Sequence, residues 1–327
     1  MLGVFVQKWQ IAVAICAAAR AAVNYAMRAF AWFLGMFVLG FAVIGFVAYP
    51  AWLLLHPQFP EWPFHRIAGR IGQVVLLVAL LVCARRLGVA NRQSWGYGIP
   101  RKDFFRELAK ALALGVATML PIIGLMAAMG LRMWKGGLAP DAATLAKLTL
   151  QGFMTGIAVA VIEETFIRGA MFTAVSRESG TRVAIVLTAL LYSATHFFAS
   201  YRVPADQVNA WSGLALVSGT LDAFKDPLAI ADAFLCLFAV GVLLAAVRAR
   251  TGHIAACMGL HAGWVWVITF VRATSEPNDA HPLRFLLSQF DGLVGWLVLA
   301  WTVVIGLVLY RVYARGRPDR VTLPLGG

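Results

Sequence analysis

Gly156-Ile157-Ala158-Val159-Ala160-Val161-Ile162-Glu163-Glu164-Thr165-Phe166-Ile167-Arg168-Gly169-Ala170-Met171-Phe172 places two acids and a base inside an apolar run long enough to cross a bilayer. A charge at the centre of a spanning helix costs about 2.5–3.5 kcal/mol on insertion scales, so intramembrane ionisable groups are rare and need partners, water or a chemical role. On a helix Glu164 and Arg168 stand four residues apart with the acid N-terminal, the favoured order for an intrahelical pair. Glu163 projects about 100° away on an ideal helix and has no basic partner in its own segment. It is the freer carboxyl, suited to take a proton from water.

Composition bounds what surrounds this pair. Of 327 residues, 61% are hydrophobic and only 13% charged, against about 25% charged in soluble domains. The chain therefore reads as an all-α membrane protein, a polytopic bundle of about eight transmembrane helices. Apolar runs place the spans near 31–55, 71–88, 108–131, 149–174, 183–200, 228–247, 254–271 and 287–310. Residues 8–30, with Lys8, Arg20 and Arg28 interrupting an Ala-rich run, read as an N-terminal interfacial helix rather than a cleaved signal. Pro50 and Pro121 fall inside spans, where a kink or a neighbouring helix satisfies the freed carbonyl. The long connection 201–227 has room for an interfacial or re-entrant piece. The chain divides into 1–148, holding the interfacial helix and first three spans, a core over 149–271, and 272–327, holding the last span and a basic tail.

The net charge of +13 is distributed between apolar segments rather than on one soluble face, which argues against nucleic acid and for topology signals and membrane lipids. With the N-terminus, alternate loops and C-terminus taken as one side, 18 of the 28 Lys and Arg fall there and 9 opposite, leaving Arg168 inside. That bias puts both termini in the cytoplasm of a multi-pass plasma (inner) membrane protein. Cys16, Cys83, Cys236 and Cys257 lie in apolar segments without C-x-x-C spacing and read as buried thiols. His56, His65, His253 and His281 sit at loops or span edges and read as interfacial.

Two further histidines lie within later spans: His196, in Tyr192-Ser193-Ala194-Thr195-His196, and His261, flanked by Gly259 and Gly263. The small-xxx-small glycines point to close helix packing, which brings the imidazole against a neighbouring helix. Counted inward at 1.5 Å per residue, Glu163 lies ~18 Å, His196 ~21 Å and His261 ~14 Å from the same side, depths compatible with one constellation.

At these residues the chain resembles the CPBP intramembrane proteases, the family of type II CAAX prenyl proteases and bacteriocin-processing or immunity proteins. Its pattern is E-E-x-x-x-R, then F-x-x-x-H, then H-x-x-x-N or H-x-x-x-D, on separate helices. Glu163-Glu164-x-x-x-Arg168 matches in full, Tyr192-x-x-x-His196 has Tyr for Phe, and His261 is followed at the fourth position by Val265. The resemblance implies an intramembrane endopeptidase acting on a peptide or protein, lipid-modified substrates included. It implies that Glu163 activates the attacking water with help from His196, that His261 stabilises the oxyanion, and that Glu164 and Arg168 brace the site. Val265 donates no hydrogen bond, which leaves water, the Trp264 or Trp266 indole, or backbone to complete the oxyanion site. No cofactor is expected. The zinc alternative would use Glu163, His196 and His261 as ligands, but no H-E-x-x-H is present to anchor two of them on one turn. Two other classes share these residues: a non-catalytic immunity or assembly factor on the same scaffold, and a proton-coupled transporter. The chain shows no internal repeat of the kind many transporters carry.

Overall fold

In hydrocarbon every backbone N–H and C=O must be satisfied within the protein, so each apolar run closes its own hydrogen bonds as a helix. The computed structural model describes residues 27–137, 139–198 and 201–315. The helices are α1 (Arg28–Leu55), α2 (Phe64–Cys83), α3 (Arg101–Ala128), α4 (Ala142–Glu163), α5 (Phe172–Ser179), α6 (Thr181–Phe197), α7 (Ser212–Gly219), α8 (Ala231–Thr251), α9 (Ala255–Thr274) and α10 (Trp296–Arg315). A π-helical segment, Glu164–Met171, joins α4 to α5 without a break. Together they form a single 38-residue rod, Ala142–Ser179, ~57 Å long at helical rise. Among the described residues six helices are long and apolar enough to cross a membrane, and the shorter apolar helices Thr181–Phe197 and Trp296–Leu309 bring the set to the eight segments expected. The architecture is an all-α polytopic membrane fold. The interfacial helix expected over 8–30 lies almost entirely outside the described residues.

Several boundaries differ from the hydropathy reading. The second and third helices begin at Phe64 and Arg101, seven residues ahead of the apolar runs. The basic residues of those first turns (Arg66 and Arg70, then Arg101, Lys102, Arg106 and Lys110) depress local hydropathy while leaving helix formation unaffected. In the 201–227 connection, α7 buries Ser212, Gly213, Leu216 and Gly219. A Cβ on Gly213 would stand 2.4 Å from the Gly45 carbonyl oxygen, so α7 crosses α1 backbone to backbone.

Helix ends follow local chemistry. Asp141 caps α4 by accepting the Thr144 N–H and the Thr144 hydroxyl, both at 2.9 Å, and these bonds hold its exposed carboxyl below the usual carboxylate range. Gly180 (φ 86°) lets the chain reverse from α5 into α6, and Gly252 (φ 75°) closes α8 in the left-handed conformation. The Glu178 carboxylate accepts the Ala29 N–H at 2.5 Å, tying the start of α1 to the end of α5. In α3, one turn before Pro121, the Thr118 carbonyl accepts the Trp301 indole N–H at 2.8 Å.

The helix carrying His261 is clamped on both sides by glycine. Against α3, a Cβ on Gly115 would meet the Leu260 carbonyl at 2.6 Å, and Cβ atoms on Gly259 and Gly263 would meet the Leu108 and Leu112 carbonyls at 2.3 and 2.6 Å. Against α4, a Cβ on Gly156 would meet the Ala262 carbonyl at 2.4 Å, and Gly152 abuts Trp266. The packing expected of Gly259 and Gly263 is present, with a second small-residue pair on α4. An unforeseen two-stranded antiparallel ladder, β1 (Arg132–Trp134) with β2 (Ser275–Pro277), pairs Met133 with Glu276 and fastens the exit of α3 to that of α9. Buried Arg132 seals it, donating to Ser275 Oγ at 3.0 Å, to the Ser275 carbonyl at 2.7 Å and to the Gly292 carbonyl.

Candidate active site

Glu163 ends α4 and Glu164 opens the π segment. A π-helix closes i→i+5 bonds, so each residue turns through a smaller angle than in an α-helix, and short π segments recur at functional sites. Glu163 and Glu164 themselves keep right-handed α backbone, with the Glu164 N–H on the Ala160 carbonyl, so the wider winding lies between Glu164 and Met171. Glu164 and Arg168 are fully buried (0% exposed) and paired at 3.0 Å, as the spacing predicted. Arg168 also donates to the Gly241 carbonyl at 3.4 Å, and its guanidinium lies 4.3 Å from the centre of the Tyr192 ring.

His261, 3% exposed, faces both acids. Its Nδ1 is 2.8 Å from Glu164 Oε1, and its Nε2 is 4.0 Å from Glu163 Oε2. The sequence reading assigned Glu164 to Arg168 alone. The structure gives it two partners, because the glycine clamp sets His261 directly over the start of the π segment. With the carboxylate accepting, Nδ1 carries the proton and Nε2 points at Glu163. A separation of 4.0 Å is beyond a hydrogen bond. Glu163, one-third exposed, has its Oε2 buried without a hydrogen-bond partner, and the same holds for Glu164 Oε2 and Arg168 Nε.

His196 joins through Tyr192. Its Nδ1 is 2.7 Å from the Tyr192 carbonyl, which can only accept, so Nδ1–H is the donor and Nε2 is left as an acceptor. The Tyr192 ring is 4.5 Å from the His196 ring and 5.9 Å from the His261 ring. Contacts within 4.0 Å thus unite Glu163, Glu164, Arg168 and His261, with His196 attached through Tyr192. Among the described residues, no group of three or more His, Cys, Asp or Glu side chains is arranged to hold a metal ion.

The donor missing at Val265 is not supplied by the neighbouring indoles. Trp264 spends its N–H on Thr118 Oγ1 at 3.0 Å. Trp266 packs against Gly152 and Phe153, some 16 Å along α4 from Glu163.

Three contributors escaped the sequence reading. Tyr192 registered only as a variant motif position, yet its ring forms a wall against Arg168 and both imidazoles. Tyr97, from the segment between α2 and α3, lies 2.6 Å from Thr165 Oγ1; the Thr165 hydroxyl donates to the Val161 carbonyl, so Tyr97 donates to Thr165. Burial pushes the Tyr97 phenol up from its ordinary pKa, partly offset by the Thr165 bond. The same segment lays the Trp95 carbonyl against Gly169 and offers the Ser94 carbonyl to the Thr173 hydroxyl at 2.7 Å. Arg248, counted as a topology charge in a loop, is buried on α8 and donates to the Arg168 carbonyl at 3.0 Å.

The fold is a multi-pass helical bundle with a carboxylate–imidazole cluster buried among its helices. Residues 145–267 match the family model described as type II CAAX prenyl endopeptidase Rce1-like. This match supports, over that segment, the CPBP/CAAX protease family, and with it a CAAX-type intramembrane endopeptidase in general terms. No curated protein and no solved structure gives a significant match.

Proposed function

We propose that the protein hydrolyses a peptide bond of a membrane-associated or lipid-modified protein or peptide, using water activated by Glu163. The observation that carries this reading is the unpartnered, buried Glu163 Oε2 facing His261 Nε2 at 4.0 Å, a gap bordered by a proton acceptor and a potential donor. Glu163 takes a proton from water as the oxygen attacks the carbonyl carbon, and His196 Nε2 accepts the second water hydrogen to orient it. His261 donates Nε2–H to the developing oxyanion, while Glu164 accepts on the Nδ1 side and fixes the ring. Collapse breaks the C–N bond, and Glu163 returns its proton to the leaving amine. Arg168 and Tyr192 hold Glu164 and the imidazoles in place.

The proposed mechanism is metal-free and needs no cofactor; the alternative is a zinc ion held by Glu163, His196 and His261. The setting is a plasma (inner) membrane with both termini cytoplasmic, supported by the two-fold Lys and Arg bias. Substrates are peptides or proteins, prenylated C-termini among them, and membrane lipids surround the bundle.

The test is Glu163→Gln in membranes, with matched expression, against a quenched reporter set containing a prenylated C-terminal peptide and its unmodified counterpart. Loss of at least about 10²-fold in kcat is expected, the range for removing a general base. Unimpaired cleavage would sink the assignment. Val265 favours one second reading, a non-catalytic immunity or assembly scaffold. Biological activity retained in a Glu163→Ala, His196→Ala double variant would establish it.

A further inference from the structure

Arg248 is a cation 7% exposed within α8, and among the described residues it forms no ion pair. Its Nε donates to the Arg168 carbonyl at 3.0 Å, its Nη2 to Thr173 Oγ1 at 3.2 Å, and its guanidinium lies 5.7 Å from the Phe172 ring. An unpaired buried cation carries a desolvation penalty of several kcal/mol, so these hydrogen bonds need to accomplish something.

The reason lies in the hydrogen bonding of the segment it touches. In an α-helix the Phe172 N–H would bond the carbonyl four residues back, that of Arg168. Here it bonds the Ile167 carbonyl, five back, and the Gly169 carbonyl, three back. Phe172 passes over the Arg168 carbonyl, and a buried carbonyl must find a donor. Arg248 supplies that donor from a neighbouring helix. It does so at the residue whose side chain holds Glu164, which in turn holds His261.

We propose that Arg248 is a positioning residue that keeps Glu164–Met171 in π register, and thereby keeps the Arg168 side chain on Glu164 and Glu164 on His261. Without its donor, the Arg168 carbonyl recaptures the Phe172 N–H. The segment then tightens toward α geometry, Arg168 turns away from Glu164, and the Glu164 contact with His261 loosens. The catalytic part of this proposal rests on the reading of Glu163 as the base, while the register itself is measurable without turnover.

The experiment uses the full chain in nanodiscs with Arg248→Met, which keeps volume but removes the donors, and Arg248→Lys, which restores a cation and one donor. Three signals are read: peptide-resolved amide exchange over 164–173, the side-chain 15N shifts of His261, and cleavage. In Arg248→Met, exchange over 164–173 rises about tenfold relative to α9, the His261 Nδ1 signal leaves its carboxylate-bonded position, and kcat falls about 10²-fold with KM little changed. Arg248→Lys recovers part of each. A folded Arg248→Met with exchange and imidazole signals like the parent overturns the proposal. If that variant does not fold, the donor-less Arg248→Ala decides on the same two signals, and parent-like values there overturn it equally. The two readings fail separately. If Glu163 is not the base, Glu163→Gln still cleaves while the exchange and imidazole signals respond to Arg248→Met. If Arg248 does not hold the register, Glu163→Gln abolishes cleavage while those signals stay unmoved.

Discussion

Gly156→Ala adds one methyl group where α4 and α9 meet backbone to backbone. The new Cβ would stand 2.4 Å from the Ala262 carbonyl oxygen and 3.2 Å from the Trp266 nitrogen, where ordinary contact begins at 3.4 Å. Both neighbours are backbone, so no rotamer relieves the clash and the helices must part by about 1 Å. Ala262 follows His261 directly, and Gly156 lies two turns before Glu163 on the same rod. The shift therefore acts on the His261 Nδ1 to Glu164 Oε1 contact, stretching it from 2.8 Å to about 3.8 Å, beyond hydrogen-bonding range. Losing a hydrogen bond to a charged group costs about 1.5–3 kcal/mol. A misplacement of about 1 Å in a catalytic constellation lowers rate by about 10²-fold. The assay compares kcat on the reporter peptide and thermal unfolding in detergent for Gly156→Ala and Gly124→Ala. Gly124 sits on α3 with nothing within 4 Å of an added Cβ, so it controls for the general effect of replacing a helical glycine. A Gly156→Ala variant with parental kcat and an unshifted His261 imidazole signal would refute the clamp as the element that positions the site.

Two further outcomes follow from named positions. Val265 stands one helical turn beyond His261 on the same face, so Val265→Asn places an amide donor beside the imidazole and raises kcat by about tenfold or more, a fraction of the 10²–10³ lost when an oxyanion donor is removed; an unchanged or lower kcat would count against His261 as the oxyanion donor. Tyr97 has its folded pKa raised, so the docking it supports is fully present below its ordinary value near 10 and is lost as pH rises through the folded value; amide exchange over 94–100 should accelerate only in strongly alkaline buffer, and Tyr97→Phe should remove that step.

The bundle was legible because hydrocarbon leaves the backbone no alternative to helix, and each apolar run became one. The Glu164–Arg168 pair was legible for the same energetic reason: two buried charges at i, i+4 have each other as the nearest remedy. Residues 201–227 were read as holding an extra piece, and α7 is there. The π segment was not legible. Local propensity does not separate i→i+5 from i→i+4 bonding, and the side chains that touch the segment, Arg248 and Tyr97, come from distant parts of the chain. Arg248 itself was misread because hydropathy treats an arginine near a span end as a topology signal, and only the fold shows a carbonyl awaiting its donor. The Trp264 indole was a plausible oxyanion donor on spacing alone, and it is committed to Thr118 on another helix.

The 38-residue rod Ala142–Ser179 sets how far a substrate must enter the bilayer. At a common tilt of about 20°, a helix crosses a hydrocarbon layer of about 30 Å in roughly 21 residues, leaving roughly 17 of this rod outside it. The polar positions nominate the ends that protrude: Asp141, Thr144 and Lys147 at one, and Thr173, Ser176, Arg177 and Glu178 at the other. The hydrocarbon then begins near Met171, and Glu163 lies only ~12 Å beneath that boundary. A scissile bond held there needs an extended stretch of a few residues dipping below the headgroups, while the rest of its chain stays in water. A substrate anchored by a lipid near its end would be delivered at that depth without a helix having to unwind.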